Sequence, residues 1–99
     1  MTAVASDYGG LPGDFTLSQN YPNPFNPSTT IRYALPARTR VTLTVFNTLG
    51  QQVATLAEGE MEAGHHDVTF DASKLASGLY LYRLRAGDYV QTRRLLLLK

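Results

Sequence analysis

Over most of this chain apolar and polar residues alternate with a period of two, the repeat of a strand whose successive side chains point to opposite faces. Thr29, Ile31, Tyr33 and Leu35 share one face of a segment that stops at Pro36, with Thr30, Arg32 and Ala34 on the other. Val41, Leu43 and Val45 then alternate with Thr42, Thr44 and Phe46, and the β-branched residues there favour a strand over a helix. Further on, His66, Val68 and Phe70 face away from His65, Asp67, Thr69 and Asp71. Gly78 to Leu84 and Tyr89 to Leu98, joined by Ala86-Gly87-Asp88, read as a hairpin. Phe15 to Ser18 adds a short strand, and Val53 to Gly59 a further strand or irregular edge. From Glu58 to Ala63 a helical turn competes with an extended path, and the extended path is preferred.

Turn and breaker residues set the limits of these segments. Asn47-Thr48-Leu49-Gly50 is a turn ending in glycine, and Asp71 to Ser77 is a small polar connection with room for one helical turn. In Tyr21-Pro22-Asn23-Pro24-Phe25-Asn26-Pro27 the prolines remove backbone donors and fix φ, which forbids a central strand or a helix and predicts an ordered polyproline-like loop. Seven short β segments, with turn signals about every 8 to 12 residues, predict an all-β antiparallel sandwich. No period of 20 to 50 residues, the range of solenoid and propeller repeats, recurs along the chain.

Length and composition narrow the classes. Ninety-nine residues suffice for one compact core, and 43% hydrophobic with 17% charged residues is the balance of a folded module. Small, polar and glycine residues dominate residues 1–13, which read as a linker, so the domain is placed at residues 14–99. Met1 to Gly10 lacks the basic and apolar regions of a secretory signal peptide. A net charge of +1 is too small for the broad positive field that nucleic acid or a membrane surface would select. The apolar run Leu95 to Leu98 is far shorter than the roughly 20 residues that span a bilayer. The absence of cysteine excludes disulfides, thiolate metal sites and a cysteine nucleophile.

Candidate chemistry is sparse. His65 and His66 are adjacent in a strand, face opposite sides and cannot share one metal ion there. Asp14, Asp71 and Asp88 lack the dense spacing of a calcium loop and read as turn formers. No nucleophile elbow assembles serine, histidine and aspartate, and Glu58, Glu60 and Glu62 read as solvated surface. No catalytic residue, metal or cofactor is expected. Two features need another explanation. Tyr80, two residues after Gly78 at a loop-to-strand entry, matches a tyrosine corner, which would turn Tyr80, Tyr82 and Leu84 inward. Leu95 to Leu98 does not alternate, so it is either buried on both faces or exposes an apolar row.

Four stretches together carry a family resemblance. Leu17-Ser18-Gln19-Asn20-Tyr21-Pro22-Asn23-Pro24-Phe25-Asn26-Pro27-Ser28-Thr29-Thr30-Ile31 opens the set, followed by Val45-Phe46-Asn47-Thr48-Leu49-Gly50-Gln51-Gln52-Val53. Leu75-Ala76-Ser77-Gly78-Leu79-Tyr80-Leu81-Tyr82-Arg83-Leu84 and Gln91-Thr92-Arg93-Arg94-Leu95-Leu96-Leu97-Leu98-Lys99 complete it. This pattern resembles the type A C-terminal sorting domains of type IX secretion, whose fold is similar to the immunoglobulin-like domain of flagellar hook-capping proteins. Many members have lysine in the terminal basic pair; this chain has Arg93 and Arg94, which keep the charge and change the donor geometry.

The resemblance implies an immunoglobulin-like antiparallel β-sandwich of about seven strands, acting as a non-catalytic C-terminal secretion signal. The implied partners are a fused N-terminal cargo, the outer-membrane translocon and a surface sortase-like peptidase. Cargo would reach the cell surface or medium after transit through the periplasm. Expected recognition residues are Pro22, Asn23, Pro24, Phe25, Asn26, Pro27, Gly78, Tyr80, Arg93, Arg94, Leu95, Leu96, Leu97, Leu98 and Lys99. The prolines would hold Asn23, Phe25 and Asn26 ready for binding; alternatively Phe25 plugs one end of the sandwich while the loop guards an edge. A rival class is a carbohydrate-binding or cell-adhesion module, with Tyr21, Phe25, Tyr33, Phe46 and Tyr89 as an aromatic row, although tryptophan, whose face is largest, is missing.

Overall fold

The computed structural model describes residues 11–99, so the expected linker lies outside the described residues as far as Gly10. Among the described residues seven strands form and no helix: β1 (Thr16–Leu17), β2 (Ser28–Leu35), β3 (Thr39–Phe46), β4 (Gln52–Met61), β5 (Gly64–Asp71), β6 (Gly78–Ala86) and β7 (Tyr89–Leu97). Every strand pair is antiparallel, in one sheet ordered β1-β2-β5 and another ordered β4-β3-β6-β7. The architecture is the expected immunoglobulin-like sandwich, with the fourth strand placed beside β3 on the larger sheet.

The alternation read from the sequence places the core. Ile31, Tyr33, Leu35 and Phe70 from the smaller sheet meet Val41, Leu43, Val45, Tyr82 and Leu84 from the larger one, all buried. Tyr80 is buried too, and its hydroxyl donates to the Ala76 carbonyl at 2.7 Å, as the tyrosine-corner reading required. His65 is exposed, whereas the His66 ring stacks 5.1 Å from Tyr33 with its Nε2 2.8 Å from the Glu62 carbonyl.

β4 runs extended through Met61 where a helical turn had been a competing reading. Its weak periodicity has a geometric cause. Thr44 pairs with Thr55 directly after Leu43 pairs with Ala57, and Phe46 pairs with Gln52 after Val45 pairs with Ala54. Leu56 and Val53 are therefore extra residues in two bulges, and each bulge reverses the inward and outward assignment of the strand beyond it. The β6–β7 hairpin closes through Gly87-Asp88, with Gly87 at φ 59° in the first turn position, where a type II′ turn takes glycine.

The leucine run matches neither of its two readings in full. Leu95 and Leu97 enter the core with no exposure, Leu96 is half-buried on the outer face, and Leu98 is 51% exposed. Ordinary alternation persists beneath the uniform sequence, so only half the run can meet a partner.

Candidate recognition surface

The proline loop is a closed Ω-like excursion held by polar bonds. Its two ends meet where the Tyr21 amide donates to Thr30 and the Thr30 amide donates back, at 2.9 and 3.0 Å. Asn20, 2% exposed, occupies the base of the loop. Its Nδ2 donates to the Pro22 carbonyl at 3.1 Å and to Thr29 Oγ1 at 3.0 Å, and Thr29 Oγ1 donates onward to the Pro22 carbonyl at 2.8 Å. The Asn20 amide donates to the Tyr82 hydroxyl at 2.8 Å, and that hydroxyl donates to the Ser18 carbonyl at 2.6 Å. A buried polar group without partners is costly, so these mutually satisfied bonds act with the prolines to fix one loop conformation. Burial pushes the Tyr82 phenol above its ordinary pKa, while the Asn20 amide and the Arg93 charge act in the opposite sense.

From this base the loop reaches across the end of the sandwich onto β7. The Phe25 amide donates to the Leu96 carbonyl and the Leu98 amide donates to the Phe25 carbonyl, both at 3.0 Å. Asn23 Oδ1 accepts the Leu96 amide at 2.9 Å. Phe25 itself is 2% exposed, with its ring 6.1 Å from Phe70. Of the three side chains expected to be presented by the loop, Phe25 is thus a core residue that plugs the sandwich. Asn23 stays at the surface but is engaged with β7, and Asn26 is exposed.

The other end of the motif set docks in the same place. Gly78 pairs with Leu97 and Tyr80 with Leu95. The Lys99 amide donates to Ser77 Oγ at 2.9 Å, and Lys99 Nζ donates to the Ser73 carbonyl at 2.6 Å. Adjacent arginines on a strand part ways. Arg93 Nε donates to the Leu17 carbonyl between the two sheets, whereas Arg94 points outward and its guanidinium has no hydrogen-bond or ion-pair partner among the described residues. The Arg94 carbonyl accepts Gln19 Nε2 at 2.6 Å. Pro22 to Pro27 and Leu95 to Lys99, remote in sequence, therefore form one continuous pole. Its accessible parts are the proline ridge, Asn26, Leu98 and Lys99.

Sequence reasoning missed Gln19, Asn20, Thr29 and Tyr82 as the residues that hold this pole. A signal existed for two of them: Thr29 and Tyr82 fall in core-facing register, where a hydroxyl requires a hydrogen-bond partner. The aromatic row of the rival reading does not form. Phe25 and Tyr33 are buried, Phe46 lies under Arg83 on the other sheet, Tyr89 stacks on Phe15 at 5.4 Å, and Tyr21 stands alone at 81% exposure.

Fold and pole together make an immunoglobulin-like sandwich whose first and last motifs are bonded to each other. The sequence matches the family described as the secretion system C-terminal sorting domain over residues 19–98, a span that contains nearly all of both motifs. The chain belongs to this family, the sorting domains of type IX secretion, which serve as export signals and are not a catalytic family. No curated protein matches it.

Proposed function

We propose that this module carries a cargo fused ahead of residue 14 through the type IX outer-membrane translocon, and that the pole formed by Pro22–Pro27 and Leu95–Lys99 is the part that the machinery reads. On this reading cargo passes the periplasm and reaches the surface or the medium, where a sortase-like peptidase removes the module. The supporting observation is the joining of the two motifs by backbone bonds at Phe25, Leu96 and Leu98. Position supports it as well. β1 enters beside Tyr33 and Ala34, near the Leu35 end of β2, whereas the pole lies at the Ser28 end of that strand, about 17–20 Å away. A cargo on the N-terminal side would leave the pole uncovered.

The test fuses residues 14–99 behind a Sec signal and a fluorescent cargo, in a type IX competent host and in its translocon-deficient mutant. Translocon-dependent delivery outside the cell is the expected result, and a folded fusion that stays periplasmic in both hosts sinks the reading. Deleting residues 91–99 is a poor probe, because it removes Leu95 and Leu97 from the core. The combined Leu98→Asp and Lys99→Glu variant leaves the core intact and is expected to strand cargo in the periplasm.

A further inference from the structure

The net charge of +1 conceals a strong segregation. β3, β6 and β7 are neighbours in the larger sheet and contain five arginines and no carboxylate side chain, since the acidic residues among the described ones lie on β4, β5 and the loops. On the outer face of that sheet Arg83, Arg85 and Arg94 have no ion-pair partner among the described residues, while Arg32 and Arg38 elsewhere are paired with Asp67, Glu60 and Glu62. Arg83 is held 4.7 Å above the Phe46 ring, which limits the conformations its charge can take.

Apolar exposure concentrates on the same face. Of six exposed large hydrophobic residues among the described ones, Leu79, Val90 and Leu98 point outward from β6, β7 and its end, and Leu49 caps the β3–β4 turn. Leu79 sits opposite the half-buried Leu96, and Leu81 sits opposite Arg94. An aliphatic strip flanked by unpaired guanidinium groups is the composition of an interface core with a charged rim.

We propose that this outer face of β6 and β7 docks an acidic protein surface with aliphatic side chains between its carboxylates, in the export machinery. The proposal rests on the sorting function above and adds the chemistry of the partner. Charge complementarity selects this occupant. A second copy of the chain would bring arginines against arginines. A bilayer would require a continuous projecting apolar stripe, whereas Leu81 and Leu96 are half-buried and Arg94 lies beside them.

The test uses the full cargo fusion in the competent host. The double variant Arg83→Glu and Arg94→Glu, folded as judged by near-UV circular dichroism and its urea midpoint, is expected to lower delivery by about ten-fold, because like charges then face each other across the interface. The double variant Arg83→Lys and Arg94→Lys keeps the charge and retains most of the delivery, and Arg32→Glu on the opposite sheet has no such effect. Wild-type delivery by the folded Glu variant overturns the proposal and leaves the sorting function standing. A wild-type fusion that stays in the periplasm removes the sorting function and the proposal with it. Two further results overturn the acidic partner: sedimentation of the purified module with phosphatidylethanolamine and phosphatidylglycerol vesicles, lost in the Glu variant, assigns the face to lipid, and a concentration-dependent dimer lost in that variant assigns it to a second copy.

Discussion

The larger sheet ends in β4 on one side and β7 on the other, and these two edges are guarded differently. β4 protects itself locally. Two bulges break its hydrogen-bond ladder, Glu58 and Glu60 charge its length, and Arg38 bridges Glu60 and Glu62 at 2.9 and 3.1 Å just beyond. The C-terminal end of β7 has uniform leucines instead of charges, and its edge amides and carbonyl are taken up by Asn23 and Phe25, more than seventy residues earlier in the chain. A local guard can be altered without disturbing the core. The guard on β7 passes through the core plug Phe25 and the buried Asn20–Thr29–Tyr82 bonds, so on that side the signature motif and the fold are one object.

Substitutions of decreasing effect can break or sharpen this contrast. Phe25→Ala should destabilise the domain by about 3–5 kcal/mol in urea unfolding, because it removes a fully buried aromatic side chain and releases the loop. A loss below about 1 kcal/mol would mean that the plug is dispensable. Tyr82→Phe leaves the Asn20 amide and Ser18 carbonyl short of a buried partner and should lower stability by about 1–3 kcal/mol. Its informative readout is hydrogen exchange: Leu96 and Leu98 amides should lose protection, while β4 amides change only with global stability. Asn23→Ala takes away one bond at the surface and should lower stability by about 1 kcal/mol, with faster exchange at Leu96 alone.

Acid titration gives the smallest effect. The hydrogen bond and charge of Arg32 hold the Asp67 carboxyl below its ordinary pKa, and the Ser73 amide does the same for Asp71, assisted by Lys74 and Lys99. Because folding lowers these values, their stabilisation is fully present above the unfolded carboxylate pKa and fades as the pH drops through the folded one. Asp67→Asn should therefore flatten the acid side of the stability curve slightly and leave neutral pH nearly unchanged. An unaltered acid limb would show that this exposed pair is fully screened.

Much of the fold was legible because its signals are local. Thr29 to Leu35 and Val41 to Val45 show their inner faces in plain alternation, and Gly87 marks a hairpin that only a few turn types can close. β4 resisted the same reading, since a bulge is a relation between two strands and leaves its own sequence merely irregular. Leu95 to Leu98 hid its alternation because both faces carry the same residue. At the pole the sequence marked the two signature stretches, yet a residue such as Asn20 has no periodicity, and its burial depends on what folds over it.

By itself the sequence determined the class of fold, the motifs and the family, since strand period, turn chemistry and signature residues are written in short windows. Only the tertiary structure decided which signature residues face solvent, that the first motif guards the last strand, and that Arg83, Arg85 and Arg94 gather on the outer face of β6 and β7. The reason is physical: burial, edge pairing and charge segregation arise between segments distant along the chain, and they exist only once the two sheets have closed on each other.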